Sequence, residues 1–227
     1  MHTVQMNRLR LADHVRASRV GDTVVLLDLR HGRYMGLGGK QAQWLGGAID
    51  GWPTSDAASA FDVHGAELAG LTRPLLTKGL LTHQAAVSTA HAEVDEPLHS
   101  LDVHDGLATI NTGLHDLRRV TQAAAVASLW LRWRSMHAIV SSVEDRRADF
   151  LSHDREAGDG IPRVMPMKRL QLAMVTFNKL RPLVFTARDR CLLDSLALIN
   201  FLAAQQLYPS WVLGVKTSPF RAHSWVQ

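Results

Sequence analysis

The amino-acid sequence predicts an α+β protein, with three short strands and three helices at the front and a mostly helical remainder ending on one buried helix and two strands. Three observations predict it. Residues 12–37 hold three short apolar or β-branched runs separated by turn residues. Beyond them, apolar residues recur at the spacing of helix faces. Near the end, a helical stretch apolar on most sides gives way to WVLGV and AHSWVQ, which return to strand composition.

At the front, HVRASRV runs to the turn Gly21-Asp22, and TVVLLDL follows. Arg30-His31-Gly32 then turns the chain into RYMGL, completing a meander. KQAQWLGGAID reads as a helix with Trp44, Leu45, Ala48 and Ile49 on one stripe, stopped by Gly51-Trp52-Pro53. Ser55 or Asp56 caps a second short helix through Phe61. A third, from about Gly65 to Leu76, places Leu68, Leu71, Leu75 and Leu76 near helical spacing. Residues 5–82 thus read as a winged-helix-like unit.

Residues 83–100 are small, polar and contain a proline, the composition of a linker. The expected organisation is a front domain at 1–85, a linker at 86–100 and a rear domain at 101–227. The rear opens with helix over about 116–150, its apolar faces supplied by Val120, Ala124, Trp130 and Leu131. Trp130, Arg132, Trp133 and Arg134 read as a packed helix with a solvated edge rather than a nucleic-acid platform. Residues 152–166 read as a loop, and MKRLQLAMVTFNKL as an amphipathic helix ended by Arg181-Pro182. The last helix, from about Asp189 as N-cap to Gln206, carries Leu192, Leu193, Leu196, Ile199 and Leu202 around most of its circumference, so it should be buried centrally.

Composition bounds the function. The chain has 227 residues, 46% hydrophobic and 20% charged, enough for one large or two small domains. Mean hydropathy is −0.04 and no apolar run reaches the length of a membrane span. MHTVQMNRLRLADH lacks the apolar core of a secretory signal, so a cytoplasmic protein is expected. A net charge of +4, from interspersed charges, demands no polyanionic partner. One cysteine excludes an intrachain disulfide framework and any multi-thiolate zinc site. His99, His104 and His115 are scattered and there is no H-E-x-x-H, so no metal is expected. G-x-S-x-G is absent as well.

Cys191 falls in the first turn of the last helix, where unpaired N–H groups and the helix dipole favour a thiolate, and Arg188 and Arg190 flank it. Strand alternation puts His223, Trp225 and Gln227 on one face and Ala222, Ser224 and Val226 on the other. A helix-borne Cys opposed by a strand-borne His is the layout of a thiol nucleophile and its general base. A core cysteine and a structural histidine would fit the same spacing.

Cys191 at the head of an apolar helix, the strand WVLGV, and Pro219-Phe220-Arg221-Ala222-His223-Ser224-Trp225-Val226 together resemble the leader peptidases of lasso-peptide biosynthesis, the B proteins. The front resembles their precursor-recognition domain (the RiPP recognition element), which is fused ahead of the peptidase in proteobacterial versions. The resemblance implies a papain/transglutaminase-like cysteine peptidase in a bacterial antibiotic-biosynthesis system, with Cys191 as nucleophile and His223 as base. The family's third member is an Asp about a dozen residues after the His. Gln227 is the last residue here, so a C-terminally truncated domain with impaired cleavage is expected.

The resemblance also implies the partners. A precursor leader peptide would add as a strand at RYMGL, against the face of Leu68, Leu71 and Leu75, with Tyr34, Met35 and Leu37 in the groove. An asparagine-synthetase-like lasso cyclase would then close the freed core. No cofactor is bound directly; ATP, which the family's processing uses, belongs with the cyclase, because Gly39-Lys40 lacks the first glycine of a phosphate loop. No nucleic acid and no membrane are expected. Two other readings stand beside this one. The same Cys–His pair would serve an acyl transferase with an amine acceptor. A winged-helix front could instead bind DNA through helix 65–76, although Arg73 is its only basic residue.

Overall fold

The computed structural model describes residues 9–46, 48–53, 65–83, 111–157, 167–186 and 190–227. Contacts divide the chain into two units. One comprises 1–92 with 135–137 and 215–221; the other comprises 93–134, 138–214 and 222–227.

The expected meander is present in the first unit as β2 (Val15–Val20), β3 (Thr23–Asp28) and β4 (Arg33–Gly38), paired antiparallel in that order. Gly21, at φ +60, opens the two-residue turn between β2 and β3, a conformation that a Cβ disfavours. β3 is the middle strand and buries Val24, Val25 and Leu26, which is why TVVLLD is apolar almost throughout. Asp28 organises the β3–β4 turn. Its Oδ1 accepts the backbone N–H groups of Arg30 (2.9 Å) and His31 (3.2 Å), and Oδ2 lies 2.6 Å from His31 Nδ1.

A second, smaller sheet was not foreseen. β1 (Leu9–Leu11) lies between β5 (Ile49–Asp50), to which it is parallel, and β6 (Leu81–Thr82), to which it is antiparallel. The helix expected to reach Asp50 therefore ends earlier: α1 is Gly39–Gly46, and Ile49 enters a strand instead of the helical stripe. Trp52 is buried here and donates its indole N–H to the Ala42 carbonyl at 2.9 Å. α2 (Gly65–Thr77) stops in a Schellman turn. Gly79 sits at φ +69, its N–H bonds the Leu76 carbonyl, and the Leu80 N–H bonds the Leu75 carbonyl. That turn delivers Leu80 and Leu81 into a core shared with Val15, Leu26, Leu45 and Leu75. The helix expected from Ser55 or Asp56 to Phe61, and the linker at 86–100, lie outside the described residues. A winged-helix assignment is not established by these elements.

In the second unit, the single helix expected over 116–150 is two: α3 (Leu114–Trp133) and α4 (Met136–Ala157). Arg134 is extended between them and its N–H caps the Trp130 carbonyl at 2.8 Å. α4 continues through the first part of the expected loop, to Ala157. α5 is Met167–Val184, and Pro182 sits inside its last turn rather than ending it. α6 (Cys191–Ala203) buries Leu196, Ala197, Ile199, Phe201 and Leu202, as its apolar circumference demands. It packs mainly on α3, whose facing stripe of Val120, Ala123, Ala124 and Ala127 is small enough to admit the large α6 side chains. Both α6 ends differ from expectation. Asp189 lies outside the described residues, and the N-cap is Arg190 without a side-chain cap. At the other end, Gln206 adopts φ +60 while the Leu207 N–H returns to the Leu202 carbonyl, closing the helix short of Gln206. The chain then forms an antiparallel hairpin, β7 (Trp211–Thr217) and β8 (Phe220–Val226), closed at its base by reciprocal Ser210–Gln227 bonds of 2.7 and 2.9 Å. No helix among the described residues is long and apolar enough to cross a membrane.

His14 and Asp28 give the first unit a defined pH response. His14 is 6% exposed, and burial, then the charge of Arg30, lower its pKa from 6.5, outweighing the opposing pull of Asp28. Its ring stands 3.9 Å from Asp28, so near neutral pH the two are not an ion pair. For Asp28, burial raises the pKa but is outweighed by hydrogen bonds from the His31 side chain and from the His31 and Arg30 backbone, leaving it lowered. Both groups take up protons more readily in the unfolded chain, so acid destabilises the fold: His14 begins to act as pH falls through its unfolded value near 6.5, and Asp28 near 3.8. The expected outcome in urea denaturation is a lower midpoint at pH 5.5 than at 7.5, with a smaller drop in His14→Gln. Asp28→Ala, which leaves two turn N–H groups without acceptors, should cost about 1–3 kcal/mol at neutral pH.

Candidate active site

Cys191 is the first residue of α6 and is half-buried. The first N–H groups of the helix have no intrahelical acceptor, and no side chain caps them. Asp194, one turn on, is held by Arg181 at 2.6 Å, which neutralises a carboxylate beside the thiol, although its Oδ1 is buried without a partner among the described residues.

The hairpin meets α6 through a buried polar network. Ser195 and Ser224, each 5% exposed, are hydrogen-bonded to one another. The Trp211 indole N–H is shared between their two oxygens, at 2.9 Å from each. Ser195 Oγ in turn donates to the Leu192 carbonyl at 3.3 Å. In the arrangement that uses every hydrogen, Ser224 donates to Ser195 and Ser195 donates to Leu192, so no polar hydrogen of the network is wasted in the interior.

Ser195 is four residues from Cys191, on the same face of α6. The Ser224 face of β8 is therefore the one that meets the helix. Alternation sends His223 to the other face, where it is exposed and its ring stacks on Trp225, with centroids 5.9 Å apart and planes inclined by 19°. Gly214 makes that layer possible. A Cβ at this position would stand 2.5 Å from Trp225 Cζ3, so the indole lies where a side chain would be. Among the described residues, no hydrogen bond or ring contact joins Cys191 to His223. The structure brings Cys191, Ser195, Ser224 and Trp211 to the helix–hairpin junction and leaves His223 beside it. Sequence reasoning missed the serines and Trp211; their signal was the i, i+4 spacing from Cys191 to Ser195 and a serine directly after His223.

The residues expected to hold a peptide divide as well. β4 is an edge strand of its sheet. Tyr34 is 37% exposed and meets Phe220 edge to face at 5.3 Å. Met35, Leu37, Leu68 and Leu71 are partly buried against the core. Leu75 is a core residue, 3% exposed, and is withdrawn from any groove because its side chain fills the interior. No group of three or more His, Cys, Asp or Glu comes together among the described residues.

Residues 122–227, from within α3 to the end of the hairpin, match the family model of the transglutaminase-like superfamily. No curated protein and no solved structure gives a match.

Gly214→Ala should displace Trp225 and destabilise the protein by about 1–3 kcal/mol, the range for overpacking a filled site. Urea denaturation measures the loss, and near-UV circular dichroism reports the change around the indole. Ser224→Ala should cost about 1 kcal/mol, since Trp211 keeps one of its two acceptors.

Proposed function

We propose that the chain is a leader peptidase of lasso-peptide biosynthesis, with Cys191 as nucleophile and His223 as general base. The observation that carries the reading is the place of Cys191: the first turn of the buried helix of a transglutaminase-like domain, with the hairpin bearing His223 docked on the same helix face. Members of this superfamily typically hold a cysteine-protease-like site. The motif around His223 supports the finer reading by its resemblance to the B proteins.

In the proposed reaction, His223 takes the Cys191 proton and the thiolate attacks the carbonyl of the last leader residue, forming the C–S bond. The Cys191 backbone N–H donates to the oxyanion. Collapse breaks the C–N bond, and the imidazolium protonates the departing amine of the core peptide. Water, deprotonated by His223, then hydrolyses the thioester and releases the leader as an acid. Proton transfer needs imidazole and thiol within hydrogen-bond reach, about 3 Å. His223 lies on the β8 face opposite Ser224, so the reading requires its ring to come within that distance of Cys191.

In this proposal the leader adds as a strand to the edge of β4, beside Tyr34, Met35 and Leu37, with Leu68 and Leu71 beneath. Holding the leader there raises the concentration of its junction at the thiol. The partner cyclase receives the freed amine, and ATP acts with the cyclase.

Alkylation by iodoacetamide across pH tests the pair without a known substrate. Cys191 should be alkylated faster in the unchanged chain than in His223→Ala. Identical profiles in the two proteins, with no cleavage of a candidate precursor, would sink the reading. Cys191→Ala should abolish cleavage and leave leader binding unchanged. Mass analysis separates hydrolysis from transfer: free leader acid marks a peptidase, and a leader amide marks an acyl transferase.

A further inference from the structure

One backbone residue joins two histidines that are far apart in the chain. Leu29, just after β3, is fully buried. Its N–H donates to the His14 carbonyl at 2.9 Å, and its own carbonyl accepts the His137 N–H at 3.0 Å. His137 is the second residue of α4, so its N–H has no acceptor within the helix. Leu29 supplies that acceptor, and by their contacts residues 135–137 group with the first unit. The two imidazoles meet edge to face, with centroids 6.2 Å apart and planes inclined by 81°. Residues 135–137, in the break between α3 and α4, are thereby anchored beside the β3–β4 turn.

The place of the His14 ring suits it only without charge. The ring is buried, and the ionisable groups that act on it are Arg30 and His31 of the turn, Asp28 of β3 and His137 of α4. Three of these four are cationic or become so in acid. The fourth, Asp28, is already engaged: its oxygens take the Arg30 and His31 N–H groups and the His31 ring. It stands 3.9 Å from His14, beyond hydrogen-bond reach. Asp28 therefore attracts a proton to His14 only weakly, and burial together with Arg30 outweighs it. A charged imidazolium at this position lacks both water and a bonded counter-ion.

We propose that His14 is a proton-operated latch. Neutral, it packs against His137 and keeps residues 135–137 on the Leu29 backbone. Protonated, its ring moves to water, the ring contact is lost, and the His137 N–H leaves the Leu29 carbonyl. The release is local, because the ladders of the meander run between backbones and do not use the His14 side chain. The sign follows from linkage. A ring that is harder to protonate in the closed form drives opening as pH falls. In the open form the ring titrates near its ordinary value of 6.5. Between pH 7.5 and 5.5 the opening equilibrium then rises by about tenfold at most.

Amide hydrogen exchange of the full chain at pH 7.5 and 5.5, each amide corrected for its intrinsic rate, tests the latch. The His137 N–H reports it directly, since Leu29 is its acceptor, and the β3 amides report global unfolding. At both pH values His137 should be less protected than the β3 amides, the mark of a local opening. Its protection should fall several-fold from pH 7.5 to 5.5, within the roughly tenfold limit above. His14→Gln, neutral at both pH values, should remove the fall. Protection of His137 equal to that of the β3 amides at both pH values overturns the proposal, because the segment then leaves only with global unfolding. So does protection at His137 that acid leaves unaltered, or a folded His14→Gln chain that keeps the fall. The comparisons on the unchanged chain stand even where His14→Gln does not fold.

Discussion

Trp211 gives one N–H to two buried serine oxygens, and through them the terminal hairpin is locked to α6. Apolar packing alone would hold a two-stranded ribbon only loosely in register, because hydrophobic contact is not directional. Buried hydroxyls are directional, since each costs free energy unless its partner is in place. A β-strand presents alternate residues to alternate faces, so fixing Ser224 toward the helix also fixes where its neighbours point. Gly214 and Trp225 reinforce the choice from the opposite face, where an indole fills the space of an absent side chain. The placing of the hairpin thus depends on one polar joint, which holds Ser224 toward the helix and leaves His223 on the opposite, exposed face.

The parts of the fold that were legible in the sequence are those whose signal is local. The meander could be read because Gly21-Asp22 and Arg30-His31-Gly32 bracket apolar runs of strand length. α6 could be read because so much of its circumference is apolar. The small sheet could not, since β1, β5 and β6 are two or three residues long and find each other across tens of residues. The break at Arg134–Ser135 has no proline or glycine to announce it, and the helical pattern continues across it. Within the candidate site, the position of Cys191 on its helix was legible. The sequence also separated the two faces of β8, but the choice of face rested on a network between residues 29 apart, which no local pattern reports.

The unit assembled around β3 has a dependence that its short strands conceal. β1 is the middle strand of the small sheet; its neighbours are residues 49–50 and 81–82. Nothing local can pair with Leu9–Leu11 while the ribosome is still producing the meander. The small sheet therefore closes only after α2 and its Schellman turn have emerged, and until then Leu9–Leu11 must be kept from other strand edges. A substitution that unpairs Leu9–Leu11 would therefore break both ladders of the small sheet at once.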